Sequence, residues 1–313
     1  MNGCGEPRKV KTGERVMSEI LKIQHLSKGF GKNRVLQDFN MTLEKGRVYG
    51  LLGKNGEGKT TLIRMIMGII PADSGEILFK GKKIGYLDAA YKRDVGYIPE
   101  EAFFYSWMRI ADLLEFNASF YPGWDAQKAG GYLERFSLTR KSRIGKLSRG
   151  MKLKLGLVVA LAAKPELLIL DDPTSGIDVP TRQDFLRNII KELSDAGTTI
   201  LFSTHLVHEL ERIIDDLGIL HQGRLILEEE YEKVKNSVRR IRLTFENSAP
   251  EKLDFPGILT AKKENASWEG VIYPWNEGSE ARARSISGAR MEIKPLTLEE
   301  VFMSFVSEDK SGV

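Results

Sequence analysis

Gly53-Lys54-Asn55-Gly56-Glu57-Gly58-Lys59-Thr60 is followed by Thr61 and preceded by the apolar run Val48-Tyr49-Gly50-Leu51-Leu52. The run has the length and character of a buried strand, and residues 60–67 have helical apolar spacing, so the glycine-rich stretch joins a strand to a helix. It fits the phosphate-loop pattern G-x-x-x-x-G-K-[ST] in the strand–loop–helix context that makes the pattern specific. Glycines let backbone N–H groups turn inward around phosphate oxygens, and the helix N-terminus adds the positive end of its dipole. Lys59 is expected to bridge the β- and γ-phosphates and the Thr60 hydroxyl to hold Mg²⁺. The implied ligand is a nucleoside triphosphate with magnesium.

Outward from the loop, residues 20–23 and 35–43 read as strands of an antiparallel layer broken by the turn-rich 29–33, and 76–80 and 95–98 as further strands. Residues 110–120, 126–136 and 151–163 carry helical spacing with no convincing strand between them, so an all-helical insertion is expected over about 101–164. Strand and helix then alternate through 167–170, 181–193, 199–203, 207–214 and 217–220, which implies parallel pairing under covering helices. The fold class expected is α/β: a phosphate-loop core with an antiparallel β layer and an α-helical insertion. After about residue 230, β-like pieces at 240–245 and 270–273 precede a helix with a capping box at Thr297 and Glu300 and a staple of Leu296 with Val301. The expected division is an extension over 1–17, the nucleotide-binding unit over 18–230 and a small α+β domain over 231–313.

Leu167-Leu168-Ile169-Leu170-Asp171-Asp172 reads as a buried strand ending in two acids. Beside a phosphate loop, Asp171 gains a role in holding the hydration shell of magnesium, and Asp172 in orienting or deprotonating the attacking water.

Leu147-Ser148-Arg149-Gly150-Met151 ahead of a long helix resembles the signature motif of the ABC (ATP-binding cassette) ATPases. Other matches follow in the family's order. Phe30 stands at the place of the aromatic that stacks on adenine, and Glu100, after Gly96-Tyr97-Ile98-Pro99, at that of the lid glutamine, a position near magnesium and the reacting water. Ser175-Gly176-Ile177-Asp178 resembles the dimer-contact loop, and His205, after Ser203-Thr204, the switch histidine. The resemblance covers roughly residues 20–230. It implies an ATP-hydrolysing subunit with ATP and Mg²⁺ as cofactors. It further implies a head-to-tail dimer with a second cassette, identical or not, in which Ser148 and Gly150 face the nucleotide of the partner, and a separate membrane permease driven by closure.

Four positions, in three motifs, depart from the family pattern. Asp172 is one methylene shorter than the usual glutamate, Glu100 replaces glutamine, and Arg149 and Met151 stand in the signature for glycine and glutamine. A misplacement of about 1 Å can slow a reaction by about 10²-fold, so hydrolysis is expected to be slow. The ending Pro295-Leu296-Thr297-Leu298-Glu299-Glu300-Val301-Phe302 resembles the tail common in the export-type branch, and the stretch Tyr121-Pro122-Gly123-Trp124-Asp125 resembles a subgroup linked to envelope-stress or antibiotic export. A weakly hydrolysing regulatory half of a heterodimer is the alternative that Asp172 and Glu100 keep open. A non-transport ABC ATPase acting on DNA or ribosomes is a third reading, weakened by the single cassette and the lack of sustained heptads.

Composition fits. There are 47 Lys and Arg against 43 Asp and Glu, an excess too mild to imply a nucleic-acid partner, and none is expected. The single cysteine, Cys4, cannot form an internal disulfide, which suits a reducing compartment. No run approaches the 18 or more apolar residues of a membrane span, and the N-terminus lacks the apolar core of a secretory signal. Location at the cytoplasmic face of a membrane, as a peripheral subunit, is the expectation.

Overall fold

The computed structural model describes residues 18–307 apart from 102, 176, 179, 181, 183–184, 186–189, 191–192, 195–196, 208–209, 251–254 and 287. The extension expected over 1–17, most of the helix expected over 181–193, and Gly176 lie outside the described residues.

Val48–Leu52 forms β3, with all five residues buried. Its neighbours are β8 (Thr199–Thr204) and β9 (Asp216–His221), both parallel to it; β7 (Leu167–Asp171) and β6 (Val95–Ile98) continue the parallel run. β10 (Arg224–Glu230) adds an antiparallel edge, giving the order β10-β9-β3-β8-β7-β6. Both faces of this sheet are covered, and successive side chains divide between them as the two-residue period of a strand requires. Leu168, Leu170, Ile200 and Phe202 join one core, while Leu167, Ile169 and Leu201 join the other.

On the second of these faces, α1 (Lys59–Ile66) buries Leu62, Ile63 and Ile66 between the parallel sheet and a four-stranded antiparallel sheet. That sheet has the order β2-β1-β4-β5, from β1 (Glu19–Phe30), β2 (Asn33–Glu44), β4 (Ser74–Phe79) and β5 (Lys82–Ile84). On the first face lie the expected helices: α2 (Ile110–Ala118), α3 (Ala126–Arg135) and α4 (Arg149–Ala162). α3 is capped by Asp125, whose Oδ1 accepts from Lys128 N at 2.8 Å, and α4 by Ser148, whose Oγ accepts from Met151 N at 3.2 Å. Such caps contribute about 1 kcal/mol each.

A third, antiparallel sheet of order β12-β13-β11-β14 is built from β11 (Arg239–Phe245), β12 (Ile258–Glu264), β13 (Ser267–Ile272) and β14 (Ala289–Lys294). Its own small core includes Ile241, Leu243, Trp268 and Ala283, the last from α6 (Glu277–Arg284). The flanking helices α5 (Tyr231–Ser237) and α7 (Leu298–Val306) bury Val234, Leu298, Val301 and Phe302 in the main core. The capping box of α7 is present, with Glu300 Oε2 accepting from Thr297 N at 2.8 Å and Thr297 Oγ1 from Glu300 N at 3.3 Å. Among the described residues no helix is long and apolar enough to cross a membrane.

Candidate functional site

The three central strands β3, β8 and β7 end side by side, with Leu52 opposite Thr204 and Asp171 opposite Ser203. The segments that leave their carboxyl ends therefore converge, in the crevice where open α/β sheets bind ligands. The glycine-rich stretch leaves β3 there and turns into α1 through Gly58, whose φ of 110° is open to glycine alone. A Cβ at Gly58 would also come within 3.0 Å of Val35 Cγ1 and 3.1 Å of Val35 O, so the loop is seated tightly on β2.

Lys59 is buried, and its Nζ donates to Gly53 O at 2.6 Å and to Lys54 O at 3.1 Å, so the ammonium lies over its own loop. Burial pulls Lys59 below its ordinary pKa, against the opposing pull of Asp172, Asp171, Glu57 and Glu100. Thr60 Oγ1 donates to Asp171 Oδ1 at 3.2 Å, and Ser203 Oγ donates to the same oxygen at 2.8 Å. Asp171 is 1% exposed, and burial raises its carboxyl above the usual range in spite of those two hydroxyls. A buried carboxylate beside a threonine hydroxyl is an oxygen-only donor set, suited to a small hard cation that keeps most of its waters.

Asp172 is buried at 6% exposure with φ of 43°, a left-handed conformation that Asp tolerates better than most side chains. Its Oδ1 accepts from Thr204 Oγ1 at 3.3 Å, and its Oδ2 is hydrogen-bonded to His205 Nδ1. The carboxylate and the imidazole are thus one unit at the mouth of the crevice. Glu100 is exposed, yet close enough for its charge to act on both Lys59 and Asp171.

The structure brings Lys59, Thr60, Asp171, Asp172 and His205 into one cluster, with Gly53, Lys54, Asn55, Gly56, Glu57 and Gly58 forming the loop over it and Thr61 continuing α1. Phe30 stands half-exposed at the tip of the hairpin whose β2 strand touches the loop, its ring 5.3 Å from Lys28 Nζ. Ser148 and Gly150 lie elsewhere, in the first turn of α4, where Ser148 is exposed and engaged in the cap. Asp178 is exposed, its carbonyl accepting from Arg182 N at 3.0 Å. Arg149 reaches from α4 towards the Glu100 carbonyl at 3.5 Å, and both residues line a cavity of about 350 Å³ with Phe103, Phe104 and Pro173.

Two sets of contacts were outside the reach of motif reading. Ser203 and Thr204, which the motifs marked only as the run-up to His205, are the donors that fix both acids. Glu57, in the middle of the loop, is held by His221 Nδ1 at 3.0 Å and by the Gln222 backbone N–H, tying the loop to the β9–β10 turn. Both sets depend on strand adjacency, which sequence spacing does not carry.

Residues 36–175 match the family described as ABC transporter. The ABC transporter ATP-binding protein YtrB of Bacillus subtilis is 32% identical over 285 residues, spanning 91% of this chain and 97% of its own length. The lantibiotic transport ATP-binding protein SrtF of Streptococcus pyogenes is 36% identical over 69% of this chain and 93% of its own. The bacitracin transport ATP-binding protein BcrA of Bacillus licheniformis is 35% identical over 72% of this chain and 74% of its own. A solved structure of an ATP-binding subunit of an ABC transporter superposes with a TM-score of 0.63 at 30% identity, covering 69% of this chain and 92% of that one.

Proposed function

This chain belongs to the ABC transporter ATP-binding proteins, and we propose that it powers a separate membrane permease, of export type, by ATP-dependent head-to-tail closure with a second cassette. ATP binding is the family's property. The observation that carries it is the cluster of Lys59, Thr60, Asp171, Asp172 and His205 at the ends of three adjacent parallel strands. The loop from Gly53 to Thr61 cradles the triphosphate, with Lys59 exchanging its loop carbonyls for phosphate oxygens. Phe30 stacks on the adenine. Thr60 and Asp171 would hold Mg²⁺, with Glu100 as a further acid nearby; when bound, the ion would neutralise charge on the β- and γ-phosphates. Asp172 orients the attacking water and His205 fixes Asp172, with hydrolysis slow because the acid is short. In the closed pair, Ser148 and Gly150 at the start of α4 meet the γ-phosphate of the nucleotide of the partner cassette, and Asp178 lies at the contact.

Support for the membrane partner comes from the surface beside Glu100. Phe103, Tyr105 and Trp107 are 88%, 65% and 70% exposed; Phe103 lines the 350 Å³ cavity, and the Tyr105 and Trp107 rings stand 5.8 Å apart beside each other. Contiguous exposed apolar surface of this kind marks a protein or membrane contact. Relatives named for lantibiotic and bacitracin transport favour a transported substrate of that kind. The test is the oligomeric state of the purified chain with and without ATP, using Asp172→Asn to slow hydrolysis. A shift from monomer to dimer that needs ATP and is lost in Lys59→Ala is expected. A chain that stays monomeric at saturating ATP, alone and with its co-purifying membrane subunit, refutes the closure mechanism.

A further inference from the structure

Between Glu134 and Glu166 the chain carries nine Lys and Arg and no Asp or Glu, although its overall excess is only four. Three of those cations, Lys141, Arg143 and Lys146, join Arg109 around one cavity of about 410 Å³. Leu147 and Met151 supply its apolar wall, and these residues flank Ser148. All four cations are exposed, and among the described residues none of them has a carboxylate partner.

The backbone forces this arrangement. Residues 106–111 run antiparallel to 140–145, with Ala111 N donating to Arg140 O at 3.0 Å, Ile110 N to Ser142 O at 3.1 Å and Ile144 N to Met108 O at 3.0 Å. Fully buried Ile110 and Ile144 anchor the two segments. Between them Arg109 and Arg143 form a bridge pair directly opposite each other. Like charges opposite each other on paired strands repel and destabilise the pair. A bound anion turns that repulsion into recognition, since arginine forks match phosphate oxygens two at a time and lysines add point charge.

We propose that this cavity is a binding site for a phosphate-bearing anion of the oligophosphate class. Its volume lies within the range of small-ligand pockets, and its cations come from two segments held in fixed register. A nucleotide carried by a second cassette is one source of such phosphates, given the neighbouring Ser148; free oligophosphate and anionic lipid headgroups are the others. Only the first source rests on the closure mechanism above.

The probe is sodium tripolyphosphate, titrated calorimetrically into the full chain carrying Lys59→Ala, which disables the phosphate loop. Saturable binding that weakens steeply with salt is expected. Arg143→Gln weakens it about tenfold, the loss of one charge-assisted contact, and Lys141→Gln with Lys146→Gln does at least as much. Arg143→Gln also melts no lower than its parent, because it removes a repulsion, and the lysine pair changes only exposed side chains. No saturable binding in Lys59→Ala, or binding unchanged in both sets of variants, overturns the proposal. With binding established, the same substitutions made in the chain with Lys59 intact, tested in ATP-driven dimerisation and in sedimentation with phosphatidylglycerol vesicles, separate the sources. Loss in the first assigns the nucleotide of the second cassette, loss in the second the lipid, and loss in neither free oligophosphate. Tripolyphosphate binding in a chain that never dimerises with ATP counts against the closure mechanism and leaves this site standing.

Discussion

Lengthening Asp172 by one methylene is the sharpest perturbation of the hydrolytic centre. The carboxylate is 6% exposed and held from both sides, by Thr204 Oγ1 at 3.3 Å and by His205 Nδ1. If the acid falls short of the attacking water by about 1 Å, the shortfall slows turnover by about 10²-fold, equivalent to about 2.7 kcal/mol of barrier. Two terms oppose the longer side chain. An added methylene in a packed site costs about 1–3 kcal/mol of stability, and the backbone at φ 43° suits Asp better than Glu. Both act on folding and neither on ATP affinity. Asp172→Glu is therefore expected to hydrolyse bound ATP about a hundredfold faster, to keep the parent's Kd for ATP, and to melt at a lower temperature. Single-turnover phosphate release, fluorescent-nucleotide titration and calorimetry measure the three quantities. A folded Asp172→Glu chain that binds ATP normally and turns over no faster refutes the argument, because Asp172 would then reach the water through its backbone position.

Burial raises the pKa of Asp171 in the folded chain, so its stabilising contribution exists below the unfolded value of 3.8 and is lost as pH rises through the folded value. At pH 7 the ionised carboxylate weakens the nucleotide-free fold, and Asp171→Asn is expected to melt higher there, with the gain shrinking towards pH 4, while magnesium-dependent hydrolysis disappears; a lower melting point at pH 7 contradicts this. Glu57 and His221, 14% and 18% exposed, form one clasp, so Glu57→Ala, His221→Ala and the double variant should raise the Kd for ATP by similar factors. Additive effects would show that the two residues act apart. Phe30→Ala removes a stacking platform worth about 1–3 kcal/mol and should weaken ATP about tenfold or more without changing tripolyphosphate binding at the phosphate loop. Equal losses for both ligands would remove Phe30 from the adenine.

The central sheet was legible because its strands are buried on both faces and read as unbroken apolar runs: Leu167 to Leu170 and Val48 to Leu52 admit little else. The loop was legible because phosphate chemistry demands residue types in fixed spacing. What escaped has a weak signal for a physical reason. β10 has one buried residue, Leu227, beside a run of glutamates, and α6 buries only Ala283. α5 shows little more than Tyr231 and Val234, which are buried by the main core and not by a stripe of its own. In the site, the pairs Ser203–Asp171 and Glu57–His221 depend on which strands are neighbours. The basic cavity depends on the pairing of 106–111 with 140–145, two segments that carry no strand pattern.

Phosphate release by the purified chain under saturating magnesium and ATP, set beside Lys59→Ala and Asp172→Ala, bears most directly on the claim that the cluster at the end of β3 and β7 hydrolyses ATP. The expected result is slow ATP-dependent release by the unaltered chain, no release and no ATP held by the phosphate loop in Lys59→Ala, and retained ATP binding without release in Asp172→Ala. Release by the unaltered chain no greater than by Asp172→Ala, alone and with its membrane partner, would contradict it.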